Sequence, residues 1–331
     1  MPVSDRLRVG LDVAALAQTR AGTARYVNGL LEHAPVDYVR LGWGGSGRLA
    51  AAARDVIWYP AWLPETAAQA EIDLLHCPTF RAPLGGEVPL VVTVHDLAVL
   101  RHPGTFNRWT RAYSRVAVPR VAGAAELLIA VSEFTKRELV ELLRVPERKV
   151  RVIPNGVGEP FSPAGPSAGG DYVLTVATLE PRKNLERLVV ATERLGVELR
   201  VAGARGWGRV RLGGDRVRWL GEQSDEALAG LYRGAACVAY PSLYEGFGLP
   251  LVEAMACGTP VVTSAGGALE EVAGGAAVLV DPLEPGSIAA GIERAVASRD
   301  RLRRAGLARA RDFDWAATAR ATVDVYRELA A

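Results

Sequence analysis

The chain has 331 residues, 49% hydrophobic and 23% charged, with a net charge of +2. That length predicts two domains of about 150 residues each, and the composition excludes a disordered or low-complexity chain. The near-neutral balance gives no reason to expect nucleic acid as a partner. Cys77, Cys237 and Cys257 are odd in number and lack metal-ligand spacing. They read as buried free thiols in a reducing compartment. No apolar run approaches the roughly 18 residues of a membrane span, and Asp5, Arg6, Arg8 and Asp12 interrupt any signal-peptide core. A cytoplasmic location is the expectation.

Short apolar runs alternate with longer amphipathic stretches, the pattern of an α/β protein with parallel sheets. In the first half, residues 7–13, 36–41, 72–76, 90–95, 127–131 and 150–153 read as strands, and residues 23–31, 108–121 and 134–143 as helices. Residues 97–125 contain Arg101, Arg108, Arg111, Arg115 and Arg120 but no acid. On a helix over 108–121, Arg108, Arg111 and Arg115 share a face beside Trp109, Tyr113 and Val116. Two readings stay open for it: the solvated side of a packed helix, or peripheral contact with an anionic membrane. Residues 154–170, with four prolines and five glycines, read as a linker.

Beyond the linker the alternation restarts with a strand over 172–177. Asn184 is placed to cap a helix that runs to Leu195 and stops at Gly196. Another strand covers 197–202, and Ser224 opens a helix with Asp225 and Glu226 in its first turn, where the dipole favours acids. Residues 237–240 and 260–263 are further strands. Residues 315–329 form an amphipathic helix with Val323, Tyr326 and Leu329 on one face. The whole predicts two Rossmann-like domains, residues 1–158 and 159–315.

The segment 242–259 carries the most chemistry. Gly246 and Gly248 let backbone approach a ligand, and Pro250 suits the first turn of a following helix. A helix start beside such a turn favours phosphate. Glu245 in the loop and Glu253 about one turn into the helix could hold hydroxyls of a sugar and a ribose. On spacing alone, a solvated loop acid and a dipole-complementing helix acid explain them equally well.

The string Pro241-Ser242-Leu243-Tyr244-Glu245-Gly246-Phe247-Gly248-Leu249-Pro250, continued by Glu253-Ala254-Met255-Ala256-Cys257-Gly258-Thr259-Pro260-Val261-Val262, resembles the signature of retaining glycosyltransferase family four, which includes bacterial mannosyltransferases of polysaccharide assembly. The resemblance implies a GT-B architecture, two Rossmann-like domains with a cleft between them. It implies that Glu245 binds hydroxyls of the donor sugar, that the backbone of Gly246, Phe247, Gly248 and Leu249 borders sugar and phosphate, and that Glu253 binds the ribose. Thr178-Leu179-Glu180-Pro181-Arg182-Lys183-Asn184 resembles the family's strand-to-helix turn, where Arg182 and Lys183 would meet the donor pyrophosphate. A Gly-Arg pair common upstream in relatives is replaced here by Ala177-Thr178, which leaves open which arginine completes the clamp.

Further matches cover nearly the whole chain. Arg20-Ala21-Gly22-Thr23-Ala24-Arg25-Tyr26 resembles the loop that approaches the donor phosphates, through Gly22 and Thr23. His95-Asp96-Leu97 resembles the histidine of the reaction centre, and Phe313-Asp314-Trp315 with Val325-Tyr326-Arg327 resembles the closing helix, which implies that residues 316–331 cross back to the first domain as a terminal helix. The implied activity is transfer of a hexose, GDP-mannose first and a UDP-sugar as the alternative, onto a glycan or lipid-linked acceptor with retained configuration. No cofactor and no catalytic metal are expected, and Asp312-Phe313-Asp314 reads as a coincidental match to a metal motif. No Gly-x-Gly-x-x-Gly turn follows a strand, since Gly203, Gly206 and Gly208 are wrongly spaced. A non-catalytic sugar-nucleotide binding subunit is the rival of another class.

Overall fold

The computed structural model describes residues 7–17, 22–45, 47–206, 210 and 212–330. Six strands form a first sheet: β1 (Arg8–Asp12), β2 (Asp37–Leu41), β3 (Leu74–Cys77), β4 (Leu90–Val94), β5 (Leu127–Ala130) and β6 (Val150–Val152). All pair in parallel, in the order β2-β1-β3-β4-β5-β6. β3, β4 and β5 are buried along their whole length. A sheet covered on both faces needs apolar side chains in both directions, so these strands are mostly apolar rather than alternating, with His76 and Thr93 as buried polar exceptions.

Six more strands build a second parallel sheet: β7 (Tyr172–Val176), β8 (Glu198–Ala202), β9 (Val217–Gly221), β10 (Cys237–Tyr240), β11 (Val261–Ser264) and β12 (Val278–Val280). Their order is β12-β11-β10-β7-β8-β9. The chain therefore steps from β7 outward to β8 and β9, then returns to the other side of β7 with β10. In the first sheet it steps from β1 to β2 and then across to β3. Each reversal is a topological switch point, where the loops leaving two neighbouring strands diverge and leave room for a ligand.

The described residues fall into two compact units: Met1–Leu97, Ala112–Gly156 and Trp315–Ala331 in one, Ala98–Arg111 and Val157–Asp314 in the other. In the first, the terminal helix Trp315–Ala330 buries Val323 and Tyr326 with Val9, Leu74, Val91 and Ile129, and Leu329 packs alongside. Gly29 of the helix Gly22–His33 lies so close to Trp315 that an added Cβ would come within 2.4 Å of the indole.

The strand and helix boundaries lie within a few residues of the expected ones, and the structure adds elements. Residues 48–69, read as no element from sequence, form helix Arg48–Ala53, π-helix Arg54–Trp62 and helix Leu63–Gln69. Pro60 within the run has no N–H to donate, and the wide turns around it carry no single 3.6-residue stripe. Ser224 caps its helix as expected, accepting from the Ala227 N–H at 3.2 Å. Asn184 does not cap by its side chain. It adopts the left-handed conformation, φ 60°, at the start of helix Leu185–Leu195, and its Nδ2 donates to the carbonyls of Pro241 and Pro282 at 3.0 and 2.6 Å. The helix does stop at Gly196, also left-handed.

Candidate functional site

The second sheet's switch point brings together the loop after β7 and the loop after β10. Pro181–Lys183 form a single 3-10 turn ahead of helix Leu185–Leu195. The Leu243 N–H donates to the Arg182 carbonyl at 2.8 Å, tying the two loops to each other. Glu245 lies in the second loop with its side chain only 8% exposed. One carboxylate oxygen accepts from Lys183 Nζ at 2.5 Å and from the Tyr240 hydroxyl at 2.9 Å. The other accepts from Arg182 Nη1 at 3.0 Å. Arg182 also donates through Nε to Glu180 at 3.0 Å and through Nη1 to the Tyr244 carbonyl at 3.1 Å. The Tyr240 hydroxyl accepts a second Lys183 bond at 2.7 Å.

Arg182, Lys183, Glu180 and Glu245 thus form a buried cluster with two charges of each sign. Burial alone would raise the Glu245 pKa, but the Lys183 ammonium and the Arg182 guanidinium overcome it and hold the carboxyl at about 2. Burial lowers the Lys183 pKa, with Glu245 opposing the shift, and raises that of Glu180 against the pull of Arg182. An ammonium has three protons. Two of those on Lys183 go to Glu245 and Tyr240, and the third has no acceptor among the described residues, which leaves it for an incoming anion.

Gly248 precedes helix Leu249–Ala256 at φ 98°, a conformation that favours glycine. A Cβ there would lie 2.6 Å from Leu269 Cδ2, so this glycine serves the turn and its packing. The Phe247 ring packs edge-on against Phe313, centroids 5.5 Å apart, and Leu249 is buried. Whatever these two positions offer a ligand comes from backbone. Glu253 sits in the second turn, buried, and accepts from the Tyr232 hydroxyl at 2.8 Å.

His95, Gly22 and Thr23 belong to the other unit. Gly22 and Thr23 open the helix Gly22–His33; Arg20 and Ala21 lie outside the described residues. His95 follows β4 directly, and burial lowers its pKa to about 4 against the opposing effects of Asp96 and a hydrogen bond to the Pro78 backbone. Its Nε2 is buried without a partner among the described residues. The Pro78 bond is therefore made by Nδ1–H, which leaves Nε2 of the neutral ring as a lone-pair acceptor. The Tyr26 ring makes a T-shaped contact with it, centroids 5.1 Å apart.

Sequence reasoning missed Tyr240, Tyr232 and the pairing role of Glu180. Tyr240 ends a strand and Glu180 lies inside the quoted turn, but neither spacing says that its side chain meets Glu245 or Arg182. Among the described residues, no group of three or more His, Cys, Asp or Glu is placed to hold a metal ion, and no helix is long and apolar enough to cross a membrane. Cys77, Cys237 and Cys257 are free and buried, and Asp312 is paired with Arg309 at 2.9 Å.

Residues 8–158 match the family described as Glycosyltransferase Family 4, and residues 161–311 match Glycosyl transferases group 1. The chain is 32% identical to the O-antigen chain mannosyltransferase B of Escherichia coli over 284 residues, 77% of this chain and 74% of that protein. It is also 32% identical to the D-inositol 3-phosphate glycosyltransferase of Kineococcus radiotolerans over 294 residues, 73% and 66% of the two chains. In fold it is similar to Anabaena HepE crystallised with UDP and glucose, with a TM-score of 0.76 over 97% of this chain and 99% of that one at 21% identity.

Proposed function

Because the chain belongs to the family-four, group 1 glycosyltransferases of GT-B fold, we propose that it is a retaining, metal-independent hexosyltransferase using GDP-mannose and a glycan or lipid-linked acceptor. The observation that carries this reading is the Arg182–Lys183–Glu245 cluster at the second sheet's switch point. Two cations beside a helix start can stabilise the charge that develops on a departing diphosphate, without a metal. Glu245 bonds to both, and Glu180, paired with Arg182, supplies the second negative charge. When the diphosphate arrives, the cations turn to it and a carboxylate oxygen is released to accept a sugar hydroxyl. Exchanging one anion for another avoids exposing bare buried charges, which would cost several kcal/mol.

Glu253, held by Tyr232, is positioned to accept from ribose hydroxyls, and the backbone of residues 246–249 borders sugar and phosphate. Gly22 and Thr23, at a helix start of the first unit, have N–H groups suited to a phosphate, the donor-binding role the family resemblance implies. His95, neutral with Nε2 open, serves the acceptor side of the reaction. Front-face attack, in which the leaving phosphate helps remove the acceptor proton, accounts for retention without a carboxylate nucleophile of the kind retaining glycosidases use. The mannose preference is supported by the likeness to the Escherichia coli mannosyltransferase. Along helix Arg108–Ala124, Arg108, Trp109, Arg111, Arg115 and Val116 are exposed, which supports peripheral contact of a cytoplasmic enzyme with anionic lipid.

The test is a thermal-shift screen of GDP- and UDP-sugars, since a ligand at 100 times its Kd stabilises by about 2.7 kcal/mol. GDP-mannose is expected to give the largest shift. A larger shift with a UDP-sugar would replace the donor, and binding without turnover toward any glycan acceptor would make the protein a sugar-nucleotide binding subunit.

A further inference from the structure

Beneath His95 the first unit contains a buried chain of polar side chains that transfer chemistry does not use. It begins at Tyr38 on β2, whose hydroxyl meets that of Tyr326 on the terminal helix at 3.1 Å. The Tyr326 hydroxyl lies 2.6 Å from His76 Nδ1 on β3. His76 Nε2 lies 2.8 Å from Thr93 Oγ1 on β4, and Thr93 Oγ1 lies 2.9 Å from the Tyr26 hydroxyl. Tyr26 hydrogen-bonds to Thr322 as well. Tyr26, His76, Thr93, Thr322 and Tyr326 are all buried, so each unmade bond would leave a polar group out of water.

The chain ends where the candidate chemistry begins. Thr93 precedes His95 by two residues, and the Tyr26 and His95 rings meet in a T-shaped contact, centroids 5.1 Å apart and planes at 81°. Tyr26 also lies one turn beyond Gly22 and Thr23 on the same helix. Burial, with His95 adding to it, lowers the His76 pKa to about 3, so the relay holds a neutral imidazole that joins a hydroxyl on either side. An apolar core of equal volume would fill this space. A hydrogen-bonded one also fixes the rotation of Tyr26, because its hydroxyl has fixed partners.

We propose that the chain Tyr38–Tyr326–His76–Thr93–Tyr26 is a positioning device, through which the terminal helix sets the orientation of the His95 imidazole. The inference rests on His95 taking part in transfer. Thr93→Val keeps the shape and removes the hydroxyl that joins His76 to Tyr26; Thr93→Ser keeps the hydroxyl. With GDP-mannose, or UDP-glucose if the shift screen selects UDP, Thr93→Val is expected to lower kcat roughly tenfold, the scale of a sub-ångström misplacement. GDP or UDP affinity should not change, and Thr93→Ser should restore most of the rate. In a His95→Ala background, Thr93→Val should cost less than about twofold, since the group it positions is gone. An equal loss in both backgrounds, or a Thr93→Ser as slow as Thr93→Val, would overturn the positioning role. Wild-type kcat in His95→Ala alone would instead remove His95 from the reaction. Should Thr93→Val fail to fold by far-ultraviolet circular dichroism, Tyr38→Phe at the far end of the chain is judged by the same cycle.

Discussion

Replacing Lys183 by methionine keeps the length of the side chain and removes its charge, so it isolates what the ammonium does for Glu245. The depression of the Glu245 pKa from 4.5 to about 2 corresponds to about 3 kcal/mol at 1.36 kcal/mol per unit. The side chain is nearly buried, so solvent screening removes little of it. Lys183 is the larger of the two charges acting on the carboxylate and hydrogen-bonds to it as well. Its loss should therefore forfeit the greater part, up to about 2 kcal/mol at pH 7, because the buried ammonium's own lowered pKa returns some of the cost when it is removed. The sign follows from the direction of the shift. A carboxylate with a depressed folded pKa stabilises the fold above its unfolded value near 4.5, and this stability is lost as the pH falls toward 2. Wild type and Lys183→Met should thus converge in stability as the pH falls toward 2, where the carboxylate becomes protonated in both proteins. Urea unfolding of both proteins from pH 7 downward reads the difference, and a gap that stays constant down to about pH 2 would show that Lys183 does not hold Glu245 ionised. Catalytically, the same substitution should cost about 2–4 kcal/mol in kcat/KM, the scale of one preorganised charge contact.

The two glutamates should separate by ligand. Glu253→Ala should weaken binding of the free nucleoside diphosphate by roughly tenfold, the loss of a hydrogen bond to a charged group, whereas Glu245→Ala should chiefly impair use of the intact donor; calorimetry showing the larger loss for Glu245 with the diphosphate alone would reverse the roles. Gly248→Ala should destabilise by at least about 1–2 kcal/mol, because φ is 98° and a Cβ would meet Leu269. An unchanged melting temperature would mean that the turn relaxes. Since His95 stays neutral down to about pH 4, kcat should be flat from about pH 5.5 to 8 and fall on the acid side. A limb near 6.5 that disappears in His95→Ala would mean an exposed, unperturbed imidazole.

Much of the frame was legible because it rests on local signals. Most strands carry short apolar runs and could be read, though β9 and β12 were not, and Ser224 and Gly196 mark helix ends by chemistry confined to neighbouring residues. The 48–69 run was not legible, because Pro60 and the π turns break the period on which helix reading depends. The glutamates and the basic pair could be singled out, but Glu245 meets Lys183 across 62 residues, and no spacing rule spans that. Tyr26, His76 and Tyr326 each looked like ordinary core residues. Their joining depends on the terminal helix returning to the first sheet, with 250 residues between His76 and Tyr326. Asn184 shows the opposite failure, since its position at the helix start was right while its amide serves two distant carbonyls.

The central claim is that the Arg182–Lys183–Glu245 cluster receives a nucleoside diphosphate, and calorimetric titration of GDP and UDP into wild type and Lys183→Met tests it most directly. One of the two nucleotides should bind the wild type and bind Lys183→Met at least about tenfold more weakly, about 1.4 kcal/mol, with the loss shrinking as salt is raised. Equal affinity for the two proteins, or no binding of either nucleotide to a folded wild type, would contradict the assignment of this cluster as the donor phosphate site.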